Sequence, residues 1–526
     1  MRLVHQYFVE AAEKRAEKTA IVSDERKLSY AGFIERMSTL SILLADAGMR
    51  EGDRALILLR DKADFLVACY AVFARGAMAV PISEDASSSA IEQISQDCSP
   101  LVLITSLRDL GDFPLLRDRL SCNVCLIENS RHGVTMRGFS KVIVFDKETM
   151  HGGSNHREPL NMSENAGALI LYTSGTTGKK EGALLSHRNL IQGALNVNES
   201  TGIDSNIREF IAAPLAHSFG FGRSVCVFLA GGTVVVNNGM LNPMALVQNI
   251  LKHGCDAISS APSGFAMFFG RLEFLLQRVS AQIRLIELGS IPMPLDHQMK
   301  LLDIFRSARI FMHYGATEAY SSTFIELRKE QRKLHTVGRP SPNVSLSIRD
   351  DQGNRLGPLQ MGEILVRGDH VAARYWENEA ANVQRYAESN WFKTGDYGFL
   401  DEEGYLHLLG RKDEMINMDG IMISSLEVEE RIREAYPDSE ICVVGVPDPA
   451  GIVGEIPVLC YVGKNGGTIT PWDLSRVLSV CLGRNQIPRI VYRVESFPKT
   501  EDGKVLRREL RKKIIAGSVH EVEPTG

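Results

Sequence analysis

The nine cysteines are scattered: Cys122-Asn-Val-Cys125 is the nearest pair, and no second Cys or His pair stands beside it. A zinc ribbon or disulfide framework has no basis in that spacing, and reduced thiols in a cytoplasmic protein are the expectation. No uninterrupted apolar run reaches membrane-spanning length, which excludes a spanning helix. The formal charge of −5 offers no basic field to nucleic acid or to an anionic membrane. The first residues mix charges into a helical pattern without an apolar signal core, and the last ones carry no lipidation or peroxisomal address. No repeat period stands out.

What is present is a chain of 526 residues, too long for one ordinary core, so at least two domains are expected. Up to about residue 400, short β-rich runs alternate with helical patterns, the signature of α/β layers. Ala55–Leu59, Leu101–Thr105, Val142–Phe145 and Ala168–Tyr172 read as strands, and Tyr30–Ala47 and Ala63–Phe73 as helices. Past residue 340, Val344–Ile348, Glu363–Val366 and Tyr405–Leu409 suggest a smaller β-rich subdomain. From Arg411 an α+β unit follows: helix Glu427–Ala435, strands Ile441–Val446 and Pro457–Val462, helix Pro471–Leu482, strand Arg489–Val494. Some 110 residues suffice for an independent domain, so the boundary is placed at Arg411–Asp413, giving domains 1–411 and 412–526.

The strongest local signal is Tyr172-Thr-Ser-Gly-Thr-Thr-Gly178-Lys-Lys-Glu-Gly182, directly after the apolar run Ala168–Leu171 and before a helical pattern at Ser186–Val197. Small residues let the backbone bend and present N–H groups, and Thr173, Ser174, Thr176 and Thr177 add hydroxyl donors, so the loop can wrap phosphate oxygens. A Ser/Thr/Gly-rich surface turn has the same composition. The nucleoside-triphosphatase P-loop is excluded, because, counted from Gly175, Lys180-Glu181 stands where that motif needs Gly-Lys.

Further segments follow in order: Pro214-Leu-Ala-His-Ser-Phe-Gly220, Tyr314-Gly-Ala-Thr-Glu318, Val337-Gly-Arg-Pro340, Gly362-Glu-Ile-Leu-Val-Arg-Gly368, Trp391-Phe-Lys-Thr-Gly-Asp396, Gly410-Arg-Lys-Asp413 and Pro498-Lys-Thr-Glu-Asp-Gly-Lys504. Together with Tyr172–Gly182 they resemble the adenylate-forming superfamily of acyl- and aryl-CoA synthetases, nonribosomal-peptide adenylation domains and beetle luciferases, closest to the acid ligases. The resemblance implies a large N-terminal domain of layered α/β sheets with a β-rich subdomain, and a small mobile α+β C-terminal domain. It implies ATP, Mg²⁺ and CoA, or a carrier protein's phosphopantetheine, as cofactors. A small carboxylic acid becomes acyl-AMP with release of pyrophosphate, and the acyl group then passes to the thiol.

Such a reaction drives two anions together, and each unscreened pair at about 4 Å repels by roughly 4 kcal/mol at an effective dielectric near 20. Cations must therefore meet the α-phosphate and the leaving pyrophosphate. By resemblance Lys504 is the catalytic lysine, Glu318 the magnesium ligand and Thr317 a phosphate contact. Thr173, Ser174, Gly175, Thr176, Thr177, Gly178, Lys179 and Lys180 hold the phosphates, Thr177 also facing the metal. Tyr314 and Gly315 meet adenine, Gly289 and Ser290 form the opposite wall, and Asp396 and Arg411 serve the ribose. Asp413 is the hinge. His217, Phe219 and Gly315 border the acid, with Phe221 and Pro262–Phe269 as pocket walls or as plain core.

The pattern departs from the family at several places. Lys180 and Glu181 replace the usual Pro-Lys, Asn417 replaces a lysine after the hinge, and Ser425 replaces a proline. Lys179 or Lys180 is expected to supply the loop's charge, and a non-catalytic nucleotide-binding homologue stays open. Amino-acid-activating relatives carry an aspartate where Ser218 stands, so an α-amino acid would bury an unpaired ammonium. Plain acyl or aryl acids fit better. CoA is the expected acceptor and a separate carrier protein the alternative; the basic run Arg507–Lys513 can meet CoA phosphates or be a solvated helix face.

Overall fold

The computed structural model describes residues 2–24, 26–111, 120, 122, 124–128, 139–145, 162–174, 180–237, 242–418, 421–437, 439–449, 454–463, 468–479, 482, 486–499 and 505–518. It divides into two compact units: Met1–Leu346 with Val366–Phe392, and Ser347–Leu365 with Lys393–Gly526.

The first unit is built on two large sheets. In the nine-stranded one the order is Arg339–Pro340, Ala319–Glu326, Arg309–Ala316, Leu285–Leu288, Ala257–Ser260, Arg208–Ile211, Thr233–Val236, Thr19–Ser23, Arg26–Ser29. The six strands from Arg309–Ala316 to Thr19–Ser23 are parallel, and antiparallel partners close both ends. The eight-stranded sheet runs Arg374–Tyr375, Lys180–Ser186, Gly167–Ser174, Met78–Pro81, Arg54–Leu58, Val102–Ser106, Val124–Glu128, Lys141–Phe145. Parallel strands buried on both faces read as continuous apolar runs, which is why Ala55–Leu59 and Leu101–Thr105 are legible to within a residue.

Helices fill the space between those sheets. Lys62–Phe73 starts at Asp61, whose carboxylate accepts from the Ala63 and Asp64 amides at 3.0 Å. It is buried from Ala63 to Phe73 and packs against strands of both sheets. A helix apolar on every side has no solvent face to present. Phe8, Tyr30, Phe33, Tyr70 and Phe228 meet in this layer, their ring centroids 4.4–6.4 Å apart, in tilted and edge-on contacts of the kind aromatic quadrupoles favour.

A five-stranded sheet carries Ser345–Arg349, Gly362–Arg367, Trp391–Leu400 and Tyr386–Ala387 in that order, with Leu406–Arg411 paired to Trp391–Leu400. The second unit also holds a three-stranded sheet, Glu440–Pro447, Glu455–Val462 and Ile490–Arg493, and helices Ser425–Ala435, Pro471–Leu478 and Arg507–Ile515. Every strand and helix expected after Arg411 is present. An additional hairpin, Ile416–Met418 with Ile421–Ile423, lacks the length to show in the sequence pattern.

Among the described residues no helix is long and apolar enough to cross a membrane. Eight cysteines are described, all buried and none of them in a disulfide. Burial pushes the Cys98, Cys122, Cys226, Cys255 and Cys460 thiols up to about 12, leaving them protonated and poorly nucleophilic.

Candidate functional site

Tyr172–Gly182 lies across a hairpin. Gly167–Ser174 pairs antiparallel with Lys180–Ser186, with Thr173 opposite Glu181 and Ser174 opposite Lys180. The loop therefore returns into a strand before the helix His187–Thr201 begins, and Ser186 caps that helix by accepting from the Asn189 amide at 3.1 Å. Gly175, Thr176, Thr177, Gly178 and Lys179 lie outside the described residues, as does Lys504. The hairpin stem is firmly held: Tyr172 Oη donates to Asp97 Oδ2 at 2.6 Å, and its ring packs where a Cβ on Gly182 would stand, 3.0 Å away.

Tyr314 and Gly315 stand near the end of strand Arg309–Ala316, Tyr314 opposite Thr323, and Thr317 and Glu318 form the turn into antiparallel strand Ala319–Glu326. Gly315 allows a close backbone approach, since a Cβ there would lie 2.6 Å from the Ser321 amide. Glu318 is buried and its Oε1 accepts from Tyr375 Oη at 2.5 Å, while its carbonyl accepts from the Ala372 amide at 2.7 Å. Tyr375 belongs to Arg374–Tyr375, which pairs with the strand leaving the loop, Tyr375 opposite Ala183. The loop's return strand and Glu318 thus meet through Tyr375, a residue the sequence analysis did not single out. Among the described residues no group of three or more His, Cys, Asp or Glu could hold a metal. The buried carboxylate of Glu318 is the kind of hard oxygen donor that magnesium takes alongside waters and substrate phosphates.

Beside Tyr314, His313 faces a buried charge network. Arg223 Nε donates to Glu209 Oε1 at 2.8 Å, and the same guanidinium pairs with Glu287. Glu287 in turn pairs with His313 Nδ1 at 2.8 Å. Ser259 donates to Glu209. Burial lowers the Arg223 pKa, yet the facing carboxylates of Glu209 and Glu287 outweigh it and raise it well above the ordinary arginine value. Burial pushes Glu287 upward, but Arg223 and His313 hold it below the usual carboxylate range. Removing one partner from such a network costs roughly 3–5 kcal/mol because a buried charge is left alone. Its sequence signal is faint: Glu209 in Arg208–Ile211, and single charges of opposite sign, Arg223 and Glu287, in the apolar runs Ser218–Ala230 and Leu285–Leu288.

His313 also lies under Gly289, where a Cβ would stand 2.2 Å from its ring, and edge-on to Phe219 at 4.8 Å between centroids. Ser290 follows with φ 79°, a left-handed turn at the end of its strand. His217 precedes the helix Ser218–Ala230, and its amide donates to the Pro214 carbonyl at 3.1 Å. Gly289, Tyr314, Phe219 and His313 therefore share one neighbourhood of the first unit. Phe221, Phe265 and Phe268 are fully buried in core clusters and have no surface to offer a substrate.

In the second unit Asp396 and Arg411 stand opposite one another in the Trp391–Leu400/Leu406–Arg411 ladder. Arg411 donates to Asp396 Oδ1 and to the Thr394 carbonyl, both at 2.9 Å. Asp413, in the short turn Lys412–Glu414, pairs with Arg508 and lies 3.9 Å from Arg411 Nε. Arg507 is paired with Glu429 and Arg511 with Glu455 at 2.6 Å, so three arginines of the basic run Arg507–Lys513 already hold carboxylates.

The chain belongs to the AMP-binding enzyme family. Residues 8–376 match the model of the AMP-binding enzyme, and residues 427–504 that of the AMP-binding enzyme C-terminal domain. It is 29% identical to an indoleacetate–CoA ligase of Aromatoleum aromaticum over 94% of both chains. It is 27% identical to a feruloyl-CoA synthase of an Amycolatopsis species, covering 96% of this chain and 98% of that one. The solved structure of ATP-bound MatB from Rhodopseudomonas palustris superposes with a TM-score of 0.84 at 23% identity, covering 98% of this chain and 99% of that one.

Proposed function

We propose that the chain is an AMP-forming acid–thiol ligase: it condenses a carboxylic acid with ATP to acyl-AMP, releases pyrophosphate, and passes the acyl group to the thiol of CoA. The observation that carries this is the match to both family domains in one chain, joined to near full-length similarity to named CoA ligases. In this reading Thr173, Ser174, Lys180 and residues 175–179 bind the phosphates, and Tyr314 with Gly289 and Ser290 encloses adenine. Asp396 takes the ribose hydroxyls, fixed in its rotamer by Arg411. Glu318 and Thr177 would hold magnesium, whose charge would offset that of the pyrophosphate, and Thr317 contacts the phosphates. Lys504 neutralises the α-phosphate as the acid's oxygen attacks, and Asp413 is the hinge on which residues 412–526 move.

The acid we propose is an aryl or acyl acid without an α-ammonium. His217, Phe219 and Gly315 border it. The buried carboxylates of Glu209 and Glu287 are engaged by Arg223, and position 218, at the start of the helix after His217, is a serine rather than an acid.

ATP–pyrophosphate exchange over a panel of fatty, aryl, hydroxy and amino acids tests the first step. Exchange with aryl or acyl acids, followed by thioester formation with free CoA, is the expected result; no exchange with any acid would point to a non-catalytic nucleotide binder, and exchange without CoA transfer to a carrier-protein acceptor. Lys504→Ala should abolish exchange yet leave thioester formation from supplied acyl-AMP intact; equal loss of both half-reactions contradicts its role.

A further inference from the structure

We propose that Tyr375 is a positioning residue for the metal-binding carboxylate, fixing which oxygen of Glu318 is offered to magnesium and tying that carboxylate to the phosphate-loop hairpin. The inference rests on the reading of Glu318 as the magnesium ligand.

Glu318 lies in a turn and would otherwise be free to rotate about its side-chain bonds. Two hydrogen bonds and the burial of the donor hold it. Its carbonyl is held by the Ala372 amide at 2.7 Å, its Oε1 accepts from Tyr375 Oη at 2.5 Å, and Tyr375 itself is only 2% exposed. The donor is locked in place. The Tyr375 amide donates to Asn382 Oδ1 at 2.7 Å and its carbonyl accepts from Asn382 Nδ2 at 3.3 Å. Nearby, Tyr386 Oη donates to the Ala372 carbonyl at 2.7 Å, bracing the residue whose amide holds Glu318.

With Oε1 engaged, Oε2 is left to face a cation. The Tyr375 backbone pairs with Ala183, and the next amide, Trp376, donates to the Gly182 carbonyl at 2.7 Å. The last residue of the loop motif and the carboxylate are thereby set by one short strand. Supporting shells of this kind tune metal affinity by orienting the ligands, typically about 10–100-fold.

Manganese titration followed by electron paramagnetic resonance on the full-length enzyme with saturating ATP reads metal affinity directly, and calorimetry of ATP binding without divalent metal serves as the second readout. Tyr375→Phe is expected to weaken manganese half-saturation by about 10-fold while metal-free ATP binding and the unfolding midpoint stay near wild type. Glu318→Gln should weaken it more, and adding Tyr375→Phe to that variant should bring no further loss. Unchanged or tighter manganese binding in Tyr375→Phe, or additive losses in the double variant, overturns the role of Tyr375. Wild-type manganese binding in Glu318→Gln overturns instead the assignment of Glu318 on which it rests. Should Tyr375→Phe fail to fold, Asn382→Ala, which loosens the same strand without touching Glu318, is expected to give a smaller weakening in the same direction, and none overturns the proposal.

Discussion

Glu181 marks where residue chemistry departs furthest from expectation. It replaces a lysine of the family loop, yet a carboxylate facing pyrophosphate would be repelled. Its backbone sits in the hairpin stem, its carbonyl accepting from Thr173 Oγ1 at 3.4 Å, and Lys180 stands opposite Ser174 at the mouth of the loop. Lys180→Ala is therefore expected to raise the ATP KM several-fold, about 1 kcal/mol for one charge-assisted contact, and Glu181→Ala far less; steady-state kinetics with the ranking reversed would refute this. Ser425 shows the opposite case. It is the first residue of Ser425–Ala435, after the cap Ser424 that accepts from the Glu427 amide at 3.1 Å, and the first helical position is where proline is best tolerated. The position suits either residue, and serine adds a bond of its own, its Oγ donating to the Glu414 carbonyl at 3.3 Å.

At the scale of elements, the motif Pro214–Gly220 illustrates why a glycine recurs in a site. Helix Ser218–Ala230 begins against the backbone of its own approach, and a Cβ on Gly220 would stand 2.3 Å from the Pro214 carbonyl oxygen and 2.5 Å from that of Ala213. Backbone cannot yield as a flexible side chain can, so Gly220→Ala must displace the turn that carries His217. A loss of about 1–3 kcal/mol is expected from such overpacking, measurable by urea denaturation; wild-type stability would mean the contact is not tight. The same logic makes the loop–strand connection informative. Apolar periodicity revealed Gly167–Ser174 and His187–Thr201, whereas Lys180–Ser186, which starts with two charged residues, gave no strand signal before its pairing was seen.

For the whole molecule, three buried histidines contribute to acid stability. Burial lowers His5 and His370 to about 4 and His187 to about 3, from an ordinary value of 6.5. Between those values the unfolded chain binds protons that the folded chain refuses. Their stabilising contribution is complete above about pH 6.5 and is lost as pH falls toward 4 and 3, with a slope of up to about 1.4 kcal/mol per pH unit for each histidine. Chemical unfolding at pH 7 and pH 5 should show that decline, and His187→Gln should flatten it by about one proton; an unchanged slope would refute the assignment.

The sequence by itself determined the α/β layering, the position of most strands and helices, and the residue types at each motif. Those follow from local rules: apolar periodicity, caps, and the chemistry that phosphate and carboxylate groups require. Only tertiary structure decided that Asp396 faces Arg411, that Tyr375 holds Glu318, and that Arg223, Glu209, Glu287 and His313 meet in one buried cluster. Each of these joins residues from different strands, helices or turns. Pairing register and buried charge balance depend on which segments meet in space, and no local pattern records that.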